Sequence, residues 1–235
     1  MQFIKFQEEK YLEPIKDGVF YFRPVQSFRD DPMKHRGDSN EGITYLDVAR
    51  PGASFKINNV EIIRLIESIA FSKEYEGNTL SLSLSKLDLN NCHEIESGIY
   101  TINEDFLEEM RNFGSSFIII EPIQFIESMK KALSKCKCNY EYRSIYYCDK
   151  RDGDAVQKHF DKMKEIDSWY GELFLKDIAE YGLQNEWRFL IHDIANEFPL
   201  TVNGGVNIQT TYRSKMPIFH IDDLNTLQIS KEFLI

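Results

Sequence analysis

The stretch Tyr181–His192 reads YGLQNEWRFLIH and alternates with a period of two residues. This period predicts a strand with an apolar face formed by Leu183, Asn185, Trp187, Phe189 and Ile191. The opposite face carries Gln184, Glu186, Arg188 and His192. Four hydrogen-bonding side chains on a rigid strand could hold a polar ligand, although an antiparallel sheet also often leaves one face in water. The stretch therefore predicts a core on one side and either a site or a solvated surface on the other.

A second stretch, Thr79–Lys86, reads TLSLSLSK and alternates without a break. Its apolar face carries Leu80, Leu82 and Leu84, and its other face carries Ser81, Ser83 and Ser85. Small hydroxyl side chains leave room for a ligand to lie against the strand, whereas an ordinary exposed strand more often carries Thr, Lys or Glu. A ligand-binding floor and a plain surface strand both remain open.

The remaining patterns predict one α+β domain over residues 1–235, with a mixed, mostly antiparallel sheet and packed helices. Predicted strands lie near 19–23, 79–85, 116–121, 140–148 and 183–191, and closing strands lie near 206–212 and 227–229 after a turn at 203–205. Predicted helices lie near 58–71, 102–113, 123–133 and 155–179, the last with Gly171 as the expected point of any break. Residues 2–16 predict a short helical or turn segment.

Charge and apolar content narrow the classes of partner. A formal net charge of −10 repels polyanions, so bulk nucleic-acid binding and anionic-membrane binding are disfavoured, and small ligands or protein partners fit better. No segment reaches the ~18 apolar residues of a membrane span. The first ten residues, MQFIKFQEEK, lack the apolar core of a signal peptide, so we expect a cytoplasmic protein.

The four cysteines are Cys92, Cys136, Cys138 and Cys148. They are too few and too unevenly placed for a disulfide framework, and they lack the paired spacing of structural zinc sites. We therefore expect reduced thiols and no metal.

Arg23 ends the β-rich run Val19–Arg23, and the polar loop Asp30–Gly42 (DDPMKHRGDSNEG) follows shortly after it. A polar loop after a strand is a frequent place for a site, and polar loops are also the ordinary solvated surface of a protein.

The order Arg23, then Ser81, Ser83 and Ser85, then Gln184-Asn185-Glu186 resembles the arginine–serine–glutamate class of ADP-ribosyltransferases. That class has an Arg on its first strand, a Ser-containing strand, and Glu-x-Glu or Gln-x-Glu before an apolar strand, which is Phe189–Ile191 here. Its middle strand has Ser-Thr-Ser, where this chain has Ser-Leu-Ser, and about 100 residues separate Ser83 from Glu186, which demands a large insertion.

This resemblance implies an ADP-ribosyltransferase-like fold and NAD as substrate. It further implies catalytic roles for Glu186, Gln184 and Ser83, and cofactor-binding roles for Arg23, Ser81, Ser85 and Arg188. Glu186 would stabilise the positive charge that develops on the ribose, and Arg23 would match the pyrophosphate. Gln184 would orient the acceptor; because its amide cannot ionise, it cannot act as a general base, which argues against an arginine acceptor.

A separate resemblance rests on Asp30-Asp31-Pro32-Met33 and Asn185-Glu186-Trp187-Arg188. These segments are similar to a large uncharacterised bacterial family that has an early Asn-Asp-Pro-Phe turn and a late Glu-x-Glu-Trp-Arg motif. This second resemblance implies no function.

Two other function classes remain open. A non-catalytic module, for example in a bacterial or phage conflict system, could use the same face to hold a nucleotide or a partner protein without converting it. A nuclease or other hydrolase could use Asp30, Asp31 and Glu41 with a metal, although these carboxylates share a single loop.

Overall fold

A computed structural model describes residues 1–31, 37–47, 56–57, 60–61, 68–72, 79–193, 198–201 and 204–235. The chain is α+β, and its sheets are mostly antiparallel. The strands are β1 Gln2–Gln7, β2 Val19–Pro24, β3 Ile43–Asp47, β4 Lys56–Ile57, β5 Val60–Glu61, β6 Ser68–Ser72, β7 Thr79–Leu87, β8 Cys92–Glu96, β9 Ile99–Ile102, β10 Ser116–Ile120, β11 Cys138–Ser144, β12 Tyr146–Cys148, β13 Leu175–Asp177, β14 Glu186–Asp193, β15 Val206–Gln209, β16 Phe219–His220 and β17 Ile229–Ser230.

The helices are α1 Glu9–Lys16, α2 Gln26–Arg29, α3 Glu104–Arg111, α4 Pro122–Leu133, α5 Gly153–Glu165, α6 Ile178–Tyr181 and α7 Lys231–Leu234. Short 3-10 turns cover Gly171–Phe174, Gly182–Gln184 and Ile221–Thr226. No helix in the described ranges is both long enough and apolar enough to cross a membrane.

The described residues group into two compact units. The first unit comprises residues 1–38, 75–144 and 183–235, and the second comprises residues 39–74 and 145–182. The second unit contains the strand pairs β3–β6, β4–β5 and β12–β13, of which β12–β13 is parallel. That the chain is a single domain stays a prediction.

The first unit is built on one sheet with the order β11-β14-β7-β1-β10-β16, in which β2 also pairs with β7 and β15 pairs with β2. One sheet face packs against α1 and α4 in a core that includes Leu82, Phe125 and Trp187. The other face is apolar over β1 and β10, where α3 covers it with Phe106 and Met110. The same face carries mainly polar side chains over β7, β14 and β11, together with Arg23 of β2, and the buried Leu190 of β14 also lies on it.

Several predicted elements are confirmed. Strands β2, β7 and β10 and helices α3 and α4 lie where the patterns place them. The predicted strand over 140–148 is divided into β11 and β12, and the closing strands are reduced to β15 and β17. The predicted turn at 203–205 includes residues 202–203, which lie outside the described residues.

Other predictions are wrong. Residues 2–7 form strand β1, and only Glu9–Lys16 of the N-terminal segment is helical. The described parts of the predicted helix 58–71 belong to strands β5 and β6, and residues 58–59 and 62–67 lie outside the described residues. The predicted helix 155–179 ends at Glu165, because Asp167 adopts a positive φ of 51° that a right-handed helix cannot contain.

Candidate functional site

Strand β7 brings the candidate residues together, because it lies between β14 and β2. Arg188 is opposite Ser83, Glu186 is opposite Ser85, and Arg23 is opposite Ser81. Residues directly opposite each other in an antiparallel pair project from the same face of the sheet. The polar side chains that share this surface, here called the polar face, include Arg23, Ser81, Ser83, Ser85, Glu141, Arg143, Glu186 and Arg188, and the buried Leu190 lies among them, opposite Ser81 and Glu141.

The edge of β7 that faces away from β14 is shared by two strands. Strand β1 pairs with the Ser85–Leu87 end of β7, and β2 pairs with its Leu80–Ser81 end. Between these pairings, the ammonium of Lys5 donates to the main-chain oxygen of Ser83 at 2.8 Å. The Lys5 side chain thus supplies a donor to the ladder at the point where β1 and β2 diverge.

Glu186 is held by two donors from two strands. The Ser83 hydroxyl donates to Glu186 Oε1 at 2.5 Å, and Arg188 Nε donates to the same oxygen at 2.8 Å. Both lengths are typical of charge-assisted hydrogen bonds. Glu186 is 4 % exposed and Arg188 is 1 % exposed. The solvated-surface interpretation of this face is therefore wrong at its centre, where a buried ion pair lies.

The three serines of β7 have different surroundings. Ser83 holds Glu186, and the hydroxyl of Ser85 faces the Met110 sulfur of α3 at 3.4 Å. Ser81 is 2 % exposed, and its hydroxyl has no hydrogen-bond partner among the described residues. A buried hydroxyl without a partner is unfavourable by about 1–3 kcal/mol, so Ser81 offers an unused donor and acceptor to a ligand or a water molecule.

The short helix α2 and the residues after it clamp Arg23. Its Nε donates to Ser27 Oγ at 2.6 Å, and its Nη2 donates to the Ser27 main-chain oxygen at 2.7 Å. Its Nη1 donates to Asp31 Oδ2 at 2.9 Å. The Phe28 ring centroid lies 4.8 Å from Arg23 Cζ and 6.0 Å from Arg188 Cζ. Of the polar loop that follows, residues 32–36 lie outside the described residues.

Strand β11 adds a second acid–arginine pair that sequence reasoning missed. Arg143 lies opposite Arg188, and its Nη2 donates to Glu141 Oε2 at 2.8 Å. Burial lowers the pKa of Arg143, and the nearby Glu141 carboxylate acts in the opposite direction. The alternation in Tyr140-Glu-Tyr-Arg143 was the available signal, but it does not tell which strand lies beside it.

The predicted placement of Gln184 on this strand face is wrong. Asn185 has a φ of 44°, so the chain turns there and β14 begins at Glu186. Gln184 lies in the preceding 3-10 turn, where its amide donates to Glu109 Oε1 of α3 at 3.0 Å. Leu183, predicted to be core, is exposed.

The carboxylates of the polar loop do not assemble into a metal site. Asp31 accepts from Arg23, and within the described ranges no group of three or more His, Cys, Asp or Glu residues is placed to hold a metal ion.

Comparisons of the chain with family models, with curated proteins and with solved structures each gave no match.

Proposed function

We propose that the polar face binds NAD and that the protein transfers ADP-ribose from it to a macromolecular acceptor. The observation that carries this proposal is the register of β2, β7 and β14, which gathers Arg23, Ser83 and Glu186 on one surface. The Ser83 hydroxyl, bonded to Glu186 Oε1, fixes the carboxylate in one orientation. Preorganised charge of this kind costs no reorganisation when the reaction occurs.

The reaction places a specific demand on this carboxylate. The bond between C1 of the ribose and the nicotinamide nitrogen breaks, and the electron pair leaves with nicotinamide. Positive charge develops on the ribose, and a carboxylate that binds a ribose hydroxyl stabilises it. The acceptor nucleophile then bonds to C1 and loses its proton to solvent. In this proposal Glu186 stabilises the charge and Ser83 orients Glu186.

Arg23 and Ser81 would bind the phosphates. The Arg23 guanidinium presents a planar set of donors that suits phosphate oxygens. In the structure, Asp31 occupies Nη1 of Arg23, so a phosphate would have to replace that carboxylate. Ser81 lies opposite Arg23 and has its hydroxyl available among the described residues.

The test combines binding and transfer. NAD binding is measured by calorimetry, and label transfer is measured from NAD carrying ³²P in its adenylate to proteins of a cell lysate. We expect the native protein to bind and transfer, and Glu186→Gln to bind without transferring. The matched control is Glu141→Gln, which makes the same change on the same face but away from Ser83, and it should transfer normally. Absence of NAD binding would reject the proposal.

One observation favours a second candidate, a non-catalytic module that holds a nucleotide or a protein partner. Glu186 is almost fully covered, and its Oε1 already accepts from Ser83 and Arg188. A carboxylate satisfied in this way can serve to hold β7 and β14 together. NAD binding without transfer in the native protein would support this candidate.

A further inference from the structure

Arg188 is the largest side chain that is completely buried among the described residues. Its Nε donates to Glu186 Oε1, and the Phe28 ring covers it from α2. The resemblance implies a cofactor-binding role for Arg188. The Arg188 guanidinium is 1 % exposed and its Nε contacts Glu186, so it is placed to act on that carboxylate.

We infer that Arg188 is a positioning residue that keeps Glu186 ionised and fixed in orientation. The effect of this positioning on catalysis rests on the proposed function, whereas the coupling between the Arg188 and Glu186 side chains does not. The attraction between opposite charges grows when solvent is excluded, and a planar guanidinium imposes a direction that an ammonium does not. Ser83 donates to the same oxygen from β7, so the carboxylate is fixed from two strands.

Other charged groups surround the pair. Arg143 of β11 lies opposite Arg188 and pairs with Glu141. Arg23 of β2 pairs with Asp31. Glu109 of α3 faces Gln184, and Lys5 of β1 donates to the main-chain oxygen of Ser83. Arg143 therefore offers a matched comparison, because it carries the same charge on the same face and has its own acidic partner.

The first measurement uses the native chain and needs no substitution. In protein labelled with ¹³C-glutamate and ¹⁵N-arginine, the Glu186 Cδ shift and the Arg188 Nε–H shift are followed as a function of pH. We expect both signals to change with one common midpoint. Two unrelated midpoints would overturn the inference.

The second measurement uses variants. Arg188→Met should raise the Glu186 midpoint by about 1–3 pH units, the usual effect of losing an adjacent opposite charge. Arg143→Met should move it much less. An equal shift in both variants would show that only the general field acts on Glu186, and would overturn the inference.

The third measurement is kinetic. Arg188→Lys keeps the charge but loses the planar geometry, so kcat for ADP-ribose transfer should fall while KM for NAD stays nearly constant. The acid limb of the rate profile should move to higher pH in Arg188→Met. A native kcat in Arg188→Lys would contradict the positioning role. If Arg188→Met does not fold, Arg188→Lys still tests this role.

The two proposals fail differently. If the native protein turns over no NAD but the two NMR midpoints coincide and move in Arg188→Met, the proposed function fails and the positioning role stands. If NAD is turned over but Glu186 titrates in Arg188→Met as it does in the native chain, the positioning role fails and the proposed function stands.

Discussion

The two tryptophans of the chain lie in opposite environments, and this contrast gives a stability test. Trp187 is 5 % exposed and packs against Phe3 with ring centroids 4.4 Å apart, whereas Trp169 is 64 % exposed. Trp187→Ala should lower the free energy of unfolding by about 3–5 kcal/mol, because it opens a cavity in the core. Trp169→Ala should change it by no more than about 0.5 kcal/mol. Urea denaturation of both variants measures the difference, and equal losses would contradict the packing described.

The sequence pattern and the structure lead to different expectations for the stability of a Glu186→Gln variant. A polar strand face predicts that Glu186→Gln leaves the melting temperature nearly unchanged. In the structure the pair of Glu186 and Arg188 is buried, and removing one partner leaves the other charge uncompensated, which costs about 3–5 kcal/mol.

A double-mutant cycle tests this coupling. Glu186→Gln combined with Arg188→Met should be less destabilising than the sum of the two single changes, because the second change removes the stranded charge. Additive losses, measured by urea denaturation, would show that the two side chains are not energetically coupled.

Cys92 makes stability depend on alkaline pH. Burial raises the pKa of its thiol to about 12, and the nearby Asp88 adds to the effect. An unfolded thiol ionises near its ordinary value of 9.0, so the folded state binds the proton more strongly and stability is lost as pH rises from about 9 towards 12. The melting temperature should fall less between pH 8.5 and 10.5 (about the lower half of this window) in Cys92→Ala than in the native protein. An identical fall in both proteins would contradict this role for Cys92.

At the scale of elements, the sequence predicts a strand or helix well where one face is core and the other is polar. Strand β7 and helices α3 and α4 have such patterns, and all three are confirmed. Strand β1 does not have such a pattern, because Phe3 packs into the core beside α4 whereas Ile4 and Phe6 pack into the core beside α3. A strand buried on both faces has no alternation to detect.

The helices predicted at 58–71 and 155–179 failed for different reasons. Short apolar runs fit helical and strand periods equally well, so the sequence SIAFS at Ser68–Ser72 does not distinguish a helix from a strand. In the second case the periodicity was genuine up to Glu165, but backbone conformation ended the helix. Beyond the turn, a Cβ at Gly171 would lie 2.9 Å from Met163 Cγ, so glycine is required for the close approach.

Asp31, which follows α2, occupies Nη1 of Arg23, and this gives a binding prediction for the proposed NAD site. Asp31→Asn removes the carboxylate from Arg23 Nη1, so NAD should bind about two- to fivefold more tightly, the equivalent of a partly exposed ion pair of about 0.5–1 kcal/mol. Asp30→Asn is the control, because it makes the same charge change at the adjacent, exposed position. Calorimetry measures both, and equal affinities for NAD would show that Asp31 does not compete for Arg23.

At the scale of the whole molecule, the candidate site depends on which strands are neighbours. The sequence identifies Arg23, Ser83 and Glu186 as candidate site residues and predicts the strand faces on which they lie. It does not predict that β7 lies between β2 and β14, because strand order results from packing of distant segments. For the same reason Arg143, on β11, was not predicted to lie beside Arg188.

Glu186 is proposed to act on the reacting ribose rather than on NAD binding. The most direct measurement is the steady-state rate of nicotinamide release from NAD by the native protein and by Glu186→Gln, on samples with matching near-ultraviolet circular dichroism. We predict that kcat falls on the order of 10²–10³-fold in Glu186→Gln while KM changes little, since the interaction is made mainly in the transition state. Equal kcat values, or no nicotinamide release from a native protein that binds NAD, would contradict it.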